Sequence, residues 1–215
     1  VAFTAEFASA GWLEDITNKI DEDLRKDLSS AVNSVTYKGR LYGLPESGDI
    51  KLLFYNKKMF EEAGLDPNDP PDTWDEVIKS ARLLTRDTNG DGKIDQWGFR
   101  SSGCAAGMPV MLDYQLFAYM CGLDSLFDKD DKPLFNGPQG LKALKLYIQL
   151  YDEELVDPAQ YTVWQYLEQF QRWGAGIAGM AFGWASLYDY ATTHEASKVK
   201  DDTCLLYTSD AADEL

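Results

Sequence analysis

The amino-acid sequence predicts an α/β fold, and three observations support that prediction. Stretches with the periodicity of amphipathic helices alternate along the chain with short apolar runs typical of buried strands. Of the 215 residues, 45% are hydrophobic and 13% are aromatic, which is enough to build a packed core. No apolar stretch approaches the roughly 18 residues that a transmembrane helix requires. The sequence therefore predicts a globular chain with room for one large or two modest domains.

The first predicted elements are β-strands. Residues 35–37 and 41–44 flank Lys38-Gly39-Arg40, and this arrangement predicts a β-hairpin with glycine in its tight turn. Residues 52–55, Leu-Leu-Phe-Tyr, form a continuous apolar run. Such a run is expected for a strand that is buried on both faces.

Two helices follow that strand. The first should begin at about Lys57 and end at Gly64, because the proline-rich residues 67–71 cannot continue it. The second begins after Thr73, whose side chain can cap the first turn while Glu76 reaches back in a capping box. Its apolar stripe, which predicts core packing, consists of Trp74, Val77, Ile78, Ala81 and Leu84.

A further helix and a strand are predicted in the last third of the chain. The helix opens at Gly137-Pro138 and ends near Asp157, with one apolar face formed by Leu141, Leu144, Ile148 and Tyr151. Residues 177–182 are a small-residue apolar run between glycines, which predicts a buried strand. Trp184 lies at the end of that strand, where α/β proteins tend to place ligand contacts.

The net charge and the scarcity of histidine exclude several classes of function. The formal charge of −16 would repel phosphate, which argues against nucleic acid or an anionic membrane surface as a partner. His194 is the only histidine and has no serine or cysteine motif paired with it, so a histidine-based nucleophilic mechanism is not predicted. No local signature selects a carboxylate pair for glycoside hydrolysis among the 36 acidic residues. Residue counts alone do not exclude such a pair, and the expectation of no enzymatic activity rests on the family resemblance carried by the motifs below.

The end of the chain carries a segment that we expect to be foreign to the natural protein. Residues 204–215 resemble the translation of a sequencing-library adapter, and we predict that they are a scar outside the fold. We expect the natural sequence to continue past about Thr203 and, if the protein is exported, the export signal to be missing from this chain. Two further cysteines, Cys104 and Cys121, either form a disulfide or remain free thiols, and the sequence leaves both alternatives open.

Five segments in a characteristic order carry a family resemblance. They are residues 10–17 (AGWLEDIT), 37–45 (YKGRLYGLP), 53–65 (LFYNKKMFEEAGL), 71–76 (PDTWDE) and 173–184 (WGAGIAGMAFGW). With these motifs the chain resembles the extracellular solute-binding proteins that feed carbohydrate ABC transporters, the family 1, maltose-binding-protein-like class. Each motif alone is weak, and the resemblance rests on their order and spacing.

The resemblance implies a type II periplasmic-binding-protein-like fold, in which two α/β lobes close around a hinge. In this chain the fold would be incomplete: residues 1–46 would be a remnant of the first lobe, residues 47–51 a hinge crossing, and residues 52–203 most of the second lobe. The implied function is extracytoplasmic binding of a sugar or oligosaccharide and its delivery to an ABC import permease. We expect a monomer in the periplasm or outside the cell, with a lipid anchor at the cell surface as one option. The alternative from another class is a secreted calcium-bearing carbohydrate-active enzyme or scaffold module.

Sugar binding requires aromatic faces against the apolar C–H faces of the sugar and acidic or amide groups for its hydroxyls. Trp184 matches the position where the family commonly places a stacking aromatic residue, and Asp49 matches an acidic position beside the hinge. Weaker candidates in regions that approach the ligand are Glu6, Asp113, Tyr114 and Tyr188. Core packing and solvated acids remain the alternatives for all of them.

Residues 87–95 have the oxygen-ligand spacing of an EF-hand-like calcium loop. Gly92 stands at the sharp turn, whereas Gly98 stands where the bidentate glutamate would be expected. The candidate ligands are Asp87, Asn89, Asp91, Lys93 through its carbonyl, and Asp95. We expect that ligand binding requires no cofactor. The loop suggests a calcium ion with a structural role. A plain Asn-Gly-Asp-Gly turn is the alternative.

Overall fold

The computed structural model describes residues 3–45, 50–101, 108–161 and 166–206. The chain divides into two compact units, residues 1–49 and 50–215. Within the described ranges, none of the helices is both long and apolar enough to cross a membrane. The predicted hinge crossing at residues 47–51 falls largely on residues that lie outside the described ranges, and the predicted lobe boundaries stay a prediction.

The first unit contains three short helical segments and the predicted β-hairpin. Its elements are α1 (Thr4–Ser9), α2 (Glu22–Asp27), a 3-10 helix (Ser29–Val35), β1 (Thr36–Tyr37) and β2 (Arg40–Leu41). The two strands pair antiparallel with Tyr37 opposite Arg40. Lys38 and Gly39 have positive φ angles of 49° and 74°, as a two-residue turn of the type that suits hairpins requires. The hairpin prediction is confirmed.

The second unit is built around a four-stranded mixed sheet. Its strands are β3 (Lys51–Asn56), β4 (Trp97–Arg100), β5 (Ala178–Trp184) and β6 (Thr203–Leu206). Their order across the sheet is β4-β5-β3-β6. β5 runs parallel to β4 and antiparallel to β3, and β3 runs antiparallel to β6. Both buried strands predicted from apolar runs, β3 and β5, are therefore confirmed.

Helices cover both faces of this sheet. They are α3 (Lys57–Glu62), α4 (Trp74–Leu84), α5 (Met108–Met120), α6 (Pro138–Asp152), α7 (Tyr166–Gly174) and α8 (Ala185–Thr193). α4 begins with the predicted capping box: the Glu76 backbone N–H donates to Thr73 Oγ1, and Glu76 Oε2 accepts from the Thr73 backbone N–H, both at 3.3 Å. This reciprocal pair satisfies two donors that a helix start would otherwise leave open.

The sheet is buried on both faces because alternate side chains of its central strands enter two different clusters. Leu53 and Phe182 join the larger cluster, which also contains residues of α4, α5 and α6. Phe54 and Ala181 join the smaller cluster with Trp173 of α7. The alternation follows from the two-residue period of a strand. It explains why residues 52–55 are apolar at every position.

α6 forms as predicted but buries a different side from its bulky apolar stripe. Leu141, Leu144 and Ile148 are exposed by 50%, 42% and 43%. The buried positions are Gly140, Ala143, Tyr147 and Leu150. A Cβ atom on Gly140 would lie 1.9 Å from the carbonyl oxygen of Phe135, so only glycine permits this approach. Close backbone contact therefore decides which side of α6 faces inward.

β6 was not predicted, since it includes the first residues of the supposed adapter segment. Cys204 lies opposite Tyr55, and Leu205 lies opposite Phe54. These residues extend the sheet on its β3 side. A segment that lay outside the fold would not pair with a strand of the sheet. The foreign origin of residues 204–215 stays a prediction. Cys121 and Cys204 carry free thiols, whereas Cys104 lies outside the described residues.

Candidate functional site

Three neighbouring strands bring polar and aromatic side chains to one edge of the sheet. Trp184 ends β5, Ser101 directly follows β4, and Lys51 begins β3. Because β4 and β5 are parallel and β3 is antiparallel to β5, these three positions meet at the same edge. With Asp113 of α5 they form what we call the strand-end site. Carboxyl ends of strands are where open α/β sheets usually bind ligands.

Trp184 is half-buried and is held by the backbone on both sides. It is the last residue of β5 and the residue immediately before α8. The Ala185 backbone N–H donates to the Ile50 carbonyl at 3.1 Å, which ties the start of α8 to the segment that precedes β3. Trp184 therefore occupies a fixed strand end and is partly accessible to solvent.

Lys51 lies directly opposite Trp184 in the antiparallel pair of β3 and β5. Its ammonium Nζ is 5.3 Å from the centroid of the Trp184 ring. That distance is within the range of a cation–π contact. The lysine side chain is only 12% exposed. A largely buried ammonium of this kind needs a partner to compensate for its lost hydration.

Asp113 supplies that partner. Lys51 Nζ donates to Asp113 Oδ1, and Ser101 Oγ donates to Asp113 Oδ2 at 3.2 Å. The carboxylate is 4% exposed and belongs to the wall of the site. Asp113 and Trp184, two residues that sequence analysis selected independently, are thus connected through Lys51.

Arg100 lies beneath the site at the end of β4 and is fully buried. Its guanidinium donates to the carbonyl of Phe182 at 3.4 Å and to the side-chain oxygen of Gln169. Burial lowers the pKa of Arg100 to about 10, and the Asp113 carboxylate opposes that shift. Arg100 is therefore charged at neutral pH. Among the described residues no group accepts a hydrogen bond from its Nε atom.

Tyr151 extends the polar network on the side of α6. Burial raises the pKa of Tyr151, and the nearby Tyr147 adds to this effect, whereas a hydrogen bond with Ser101 opposes it. The two tyrosine hydroxyls are 3.4 Å apart. The phenol consequently stays protonated across the physiological range and can both donate and accept hydrogen bonds.

The other predicted ligand residues are more scattered. The Tyr114 hydroxyl donates to the carbonyls of Phe135 at 3.3 Å and Gly140 at 3.2 Å, so this residue fastens α5 to the start of α6. Tyr188 lies one turn after Trp184 on α8 and is 40% exposed. Glu6 lies on α1 in the first unit. Asp49 lies outside the described residues.

Sequence reasoning missed Lys51, Ser101 and Arg100 as members of this region. Arg100 carried a usable signal, because it places a charge at the end of the otherwise uncharged strand segment Trp97–Arg100. Lys51 carried none, since its position opposite Trp184 depends on strand pairing. Ser101 is significant only because Asp113 reaches it from another element.

In the loop at residues 87–95, aspartate carboxylates accept hydrogen bonds from donors of the same loop. Asp87 Oδ1 accepts from the backbone N–H of Gly90, and Asp87 Oδ2 accepts from that of Gly92, both at 2.7 Å. The bond from Gly92 is the main reason why the pKa of Asp87 is lowered. Asp95 Oδ2 accepts from the side-chain amide of Asn89 at 2.8 Å. In the part of the chain that the structure describes, no three His, Cys, Asp or Glu side chains are placed to hold a metal ion together.

Gly98 explains why the twelfth position of this loop has no glutamate. A Cβ atom on Gly98 would lie 2.0 Å from the carbonyl oxygen of Ala81 in α4. Contact between β4 and the α4 backbone thus excludes every side chain at this position. The loop therefore lacks a local bidentate ligand for steric reasons.

Comparison with known proteins identifies similar chains. Residues 1–203 match the sequence profile of a family described as bacterial extracellular solute-binding protein. A mannitol-binding protein of Pseudomonas aeruginosa is 30% identical over 67% of this chain and 32% of its own length. A relative from Sinorhizobium fredii, named for amino-acid ABC transport, is 28% identical over 75% of this chain and 35% of its own length.

A solved structure extends the similarity to the fold. It is an ABC transporter solute-binding protein of Thermotoga lettingae bound to α-D-tagatose, and it is 31% identical with a TM-score of 0.79. The match covers 94% of this chain and 50% of that protein. The chain thus spans about a third of the length of these curated relatives and half of the solved structure.

Proposed function

Because this chain belongs to the bacterial extracellular solute-binding protein family, we propose that the protein binds a sugar or polyol outside the cytoplasm and delivers it to an ABC import permease. The fold predicted from the sequence, type II periplasmic-binding-protein-like and incomplete, is confirmed by the match to half of the solved tagatose-bound protein. The mannitol and tagatose in the names of the relatives support a polyhydroxylated ligand. None of the relatives reported above supports the alternative of a calcium-bearing enzyme.

The observation that carries the proposal is the half-buried indole of Trp184 at the carboxyl end of β5. A flat, accessible aromatic face suits the apolar C–H face of a sugar ring. Lys51, Ser101 and Asp113 form a hydrogen-bonded polar wall beside Trp184. Binding of this kind is non-covalent and requires no chemical step.

Location and partners form part of the same proposal. The carrier would work as a monomer in the periplasm or at the outer cell surface, where a lipid anchor would hold it. The family description as extracellular supports this location. The net charge of −16 favours an uncharged ligand over a phosphorylated one, because a phosphate would approach against the protein's overall field.

Isothermal titration calorimetry tests the proposal directly. The chain is titrated with D-tagatose, D-mannitol and maltotriose, and with an amino acid as a ligand of another class. We expect saturable sugar or polyol binding that is lost in Trp184→Ala. The control Tyr119→Ala removes another exposed aromatic residue of the same unit, at the far end of α5, and should bind normally. Heat only from the amino acid, or full sugar affinity in Trp184→Ala, would contradict the proposal.

We also propose that the loop at residues 87–95 binds a structural calcium ion. The oxygen spacing and the positive φ angle of 84° at Gly92 support this assignment. The lack of a side chain at Gly98 implies weak affinity, because the bidentate ligand is absent. Calcium would stabilise the loop and would play no part in ligand binding.

A further inference from the structure

Lys51 and Trp184 share one face of the sheet. Residues directly opposite each other in an antiparallel pair project their side chains to the same side. Two positions further along the pair, Leu53 and Phe182 are also opposite each other and lie in the core cluster that includes α5 residues. Asp113 of α5 therefore approaches Lys51 from above this face, where the Trp184 ring also lies.

The ammonium group of Lys51 occupies one face of the indole. Its Nζ atom lies over the ring at 5.3 Å from the centroid, which is close enough for electrostatic attraction to the π system. A sugar ring cannot stack on a face that is already covered in this way. A ligand could therefore stack only on the opposite face of Trp184.

The lysine is also held in place at its far end. Asp113 accepts from Nζ, and the same carboxylate is fixed by Ser101. A free lysine side chain has many rotamers, and fixing it in one of them costs conformational entropy. In the strand-end site that loss has already occurred before a ligand arrives. Groups fixed in advance reduce the entropic cost of binding.

We propose that Lys51 is a positioning residue of the binding site: held by Asp113, it covers one face of the Trp184 indole, so that a ligand can stack only on the opposite face. The effect of Lys51 on ligand stacking rests on the proposed sugar-binding function, whereas the contact between Lys51 and Trp184 is present without a ligand. It assigns Asp113 a role through Lys51 and not as a direct acceptor of sugar hydroxyls. Lys51 thereby determines how well a ligand with an apolar ring face can stack.

The test uses NMR of the 15N-labelled chain together with calorimetry. The six tryptophans give six indole N–H signals, and Trp184→Phe identifies the signal of Trp184. The double variant Lys51→Met/Asp113→Asn removes both charges without leaving a buried carboxylate unpaired. We expect it to shift and broaden the Trp184 signal while the other five indole signals stay in place. Sugar affinity should weaken on the order of fivefold.

Two further variants separate positioning from a general loss of structure. Lys51→Arg keeps a cation that can bind Asp113 and stack on the ring, so it should restore both the signal and the affinity. Lys58→Met removes an exposed lysine from α3 in the same unit and should change neither. An unchanged Trp184 signal in the double variant would overturn the inference. If the unmodified chain binds no sugar, the proposed function fails, and the indole signal still decides whether Lys51 covers Trp184.

Discussion

The strand-end site and the loop at residues 87–95 both contain carboxylates, but these carboxylates accept hydrogen bonds from different kinds of donor. Asp113 is paired with Lys51, which is 62 positions away in the sequence. Asp87 accepts hydrogen bonds from backbone N–H groups that lie no more than five positions away. The first arrangement needs the assembled sheet, whereas the second needs only a turn. We therefore expect mutations in the two regions to change the stability of the protein by different amounts.

The largest effect should come from breaking the buried ion pair on one side only. Asp113→Ala leaves the Lys51 ammonium without its partner in a site where it is 12% exposed. We expect a loss of about 3 kcal/mol in the free energy of unfolding, because an unpaired buried charge is costly. Urea denaturation measures this loss. The double variant Lys51→Met/Asp113→Asn should lose less than Asp113→Ala, and an equal or greater loss would contradict the pairing.

A pair of glycines extends the comparison to backbone packing. Gly98→Ala should destabilise the protein by about 2 kcal/mol, because the added Cβ would lie 2.0 Å from the backbone of α4. Gly92→Ala meets no atom within 4 Å and suffers only from its φ angle of 84°. We expect it to cost about 1 kcal/mol. Thermal unfolding of the two variants provides the measurement, and a reversed order would contradict the packing between β4 and α4.

A smaller effect is expected from calcium. At millimolar calcium a weak site in the loop would raise the free energy of unfolding by about 1 kcal/mol, since the ion binds the folded state. The measurement is the melting temperature with calcium and then with a chelator. Asp87→Asn/Asp91→Asn should abolish the difference, whereas Asp124→Asn, an exposed acid elsewhere in the unit, should preserve it. The same melting temperature under both conditions would leave the loop as a plain turn.

The smallest effect concerns acid. The Gly92, Gly90 and Asn89 N–H groups lower the pKa of Asp87 below its ordinary value of 3.8. A lowered pKa contributes stability that is present above the unfolded value and is lost as the pH falls through the folded value. We expect the carbon-13 shift of the Asp87 carboxyl to titrate below pH 3.8. Titration at or above that value would show that the backbone bonds to Asp87 are absent in solution.

Elements whose determinants are close together in sequence were predictable. The capping box joins Thr73 and Glu76 within one turn, and the hairpin turn depends on Lys38 and Gly39 alone. Both were confirmed, because local backbone geometry and side-chain hydrogen bonds decide them without help from the rest of the chain.

α6 shows where a local pattern misleads. The stripe that contains Leu141, Leu144 and Ile148 marks an apolar face, but the buried side is the one where Gly140 meets the Phe135 backbone. Which side of a helix turns inward depends on how closely its neighbours can approach. Sequence periodicity carries no information about that distance.

The α/β fold class, the family and the position of Trp184 at a strand end could all be read from the amino-acid order. The fold class and the strand end follow from local hydrophobic periodicity and strand punctuation, and the family follows from the order and spacing of motifs along the chain. The position of Lys51 opposite Trp184 and its hydrogen bond to Asp113 depend instead on contacts between segments that are far apart in the chain. The register between β3 and β5 and the placement of α5 over them result from packing between distant segments. Their free energy is summed over the whole core and cannot be assigned to any one stretch of sequence.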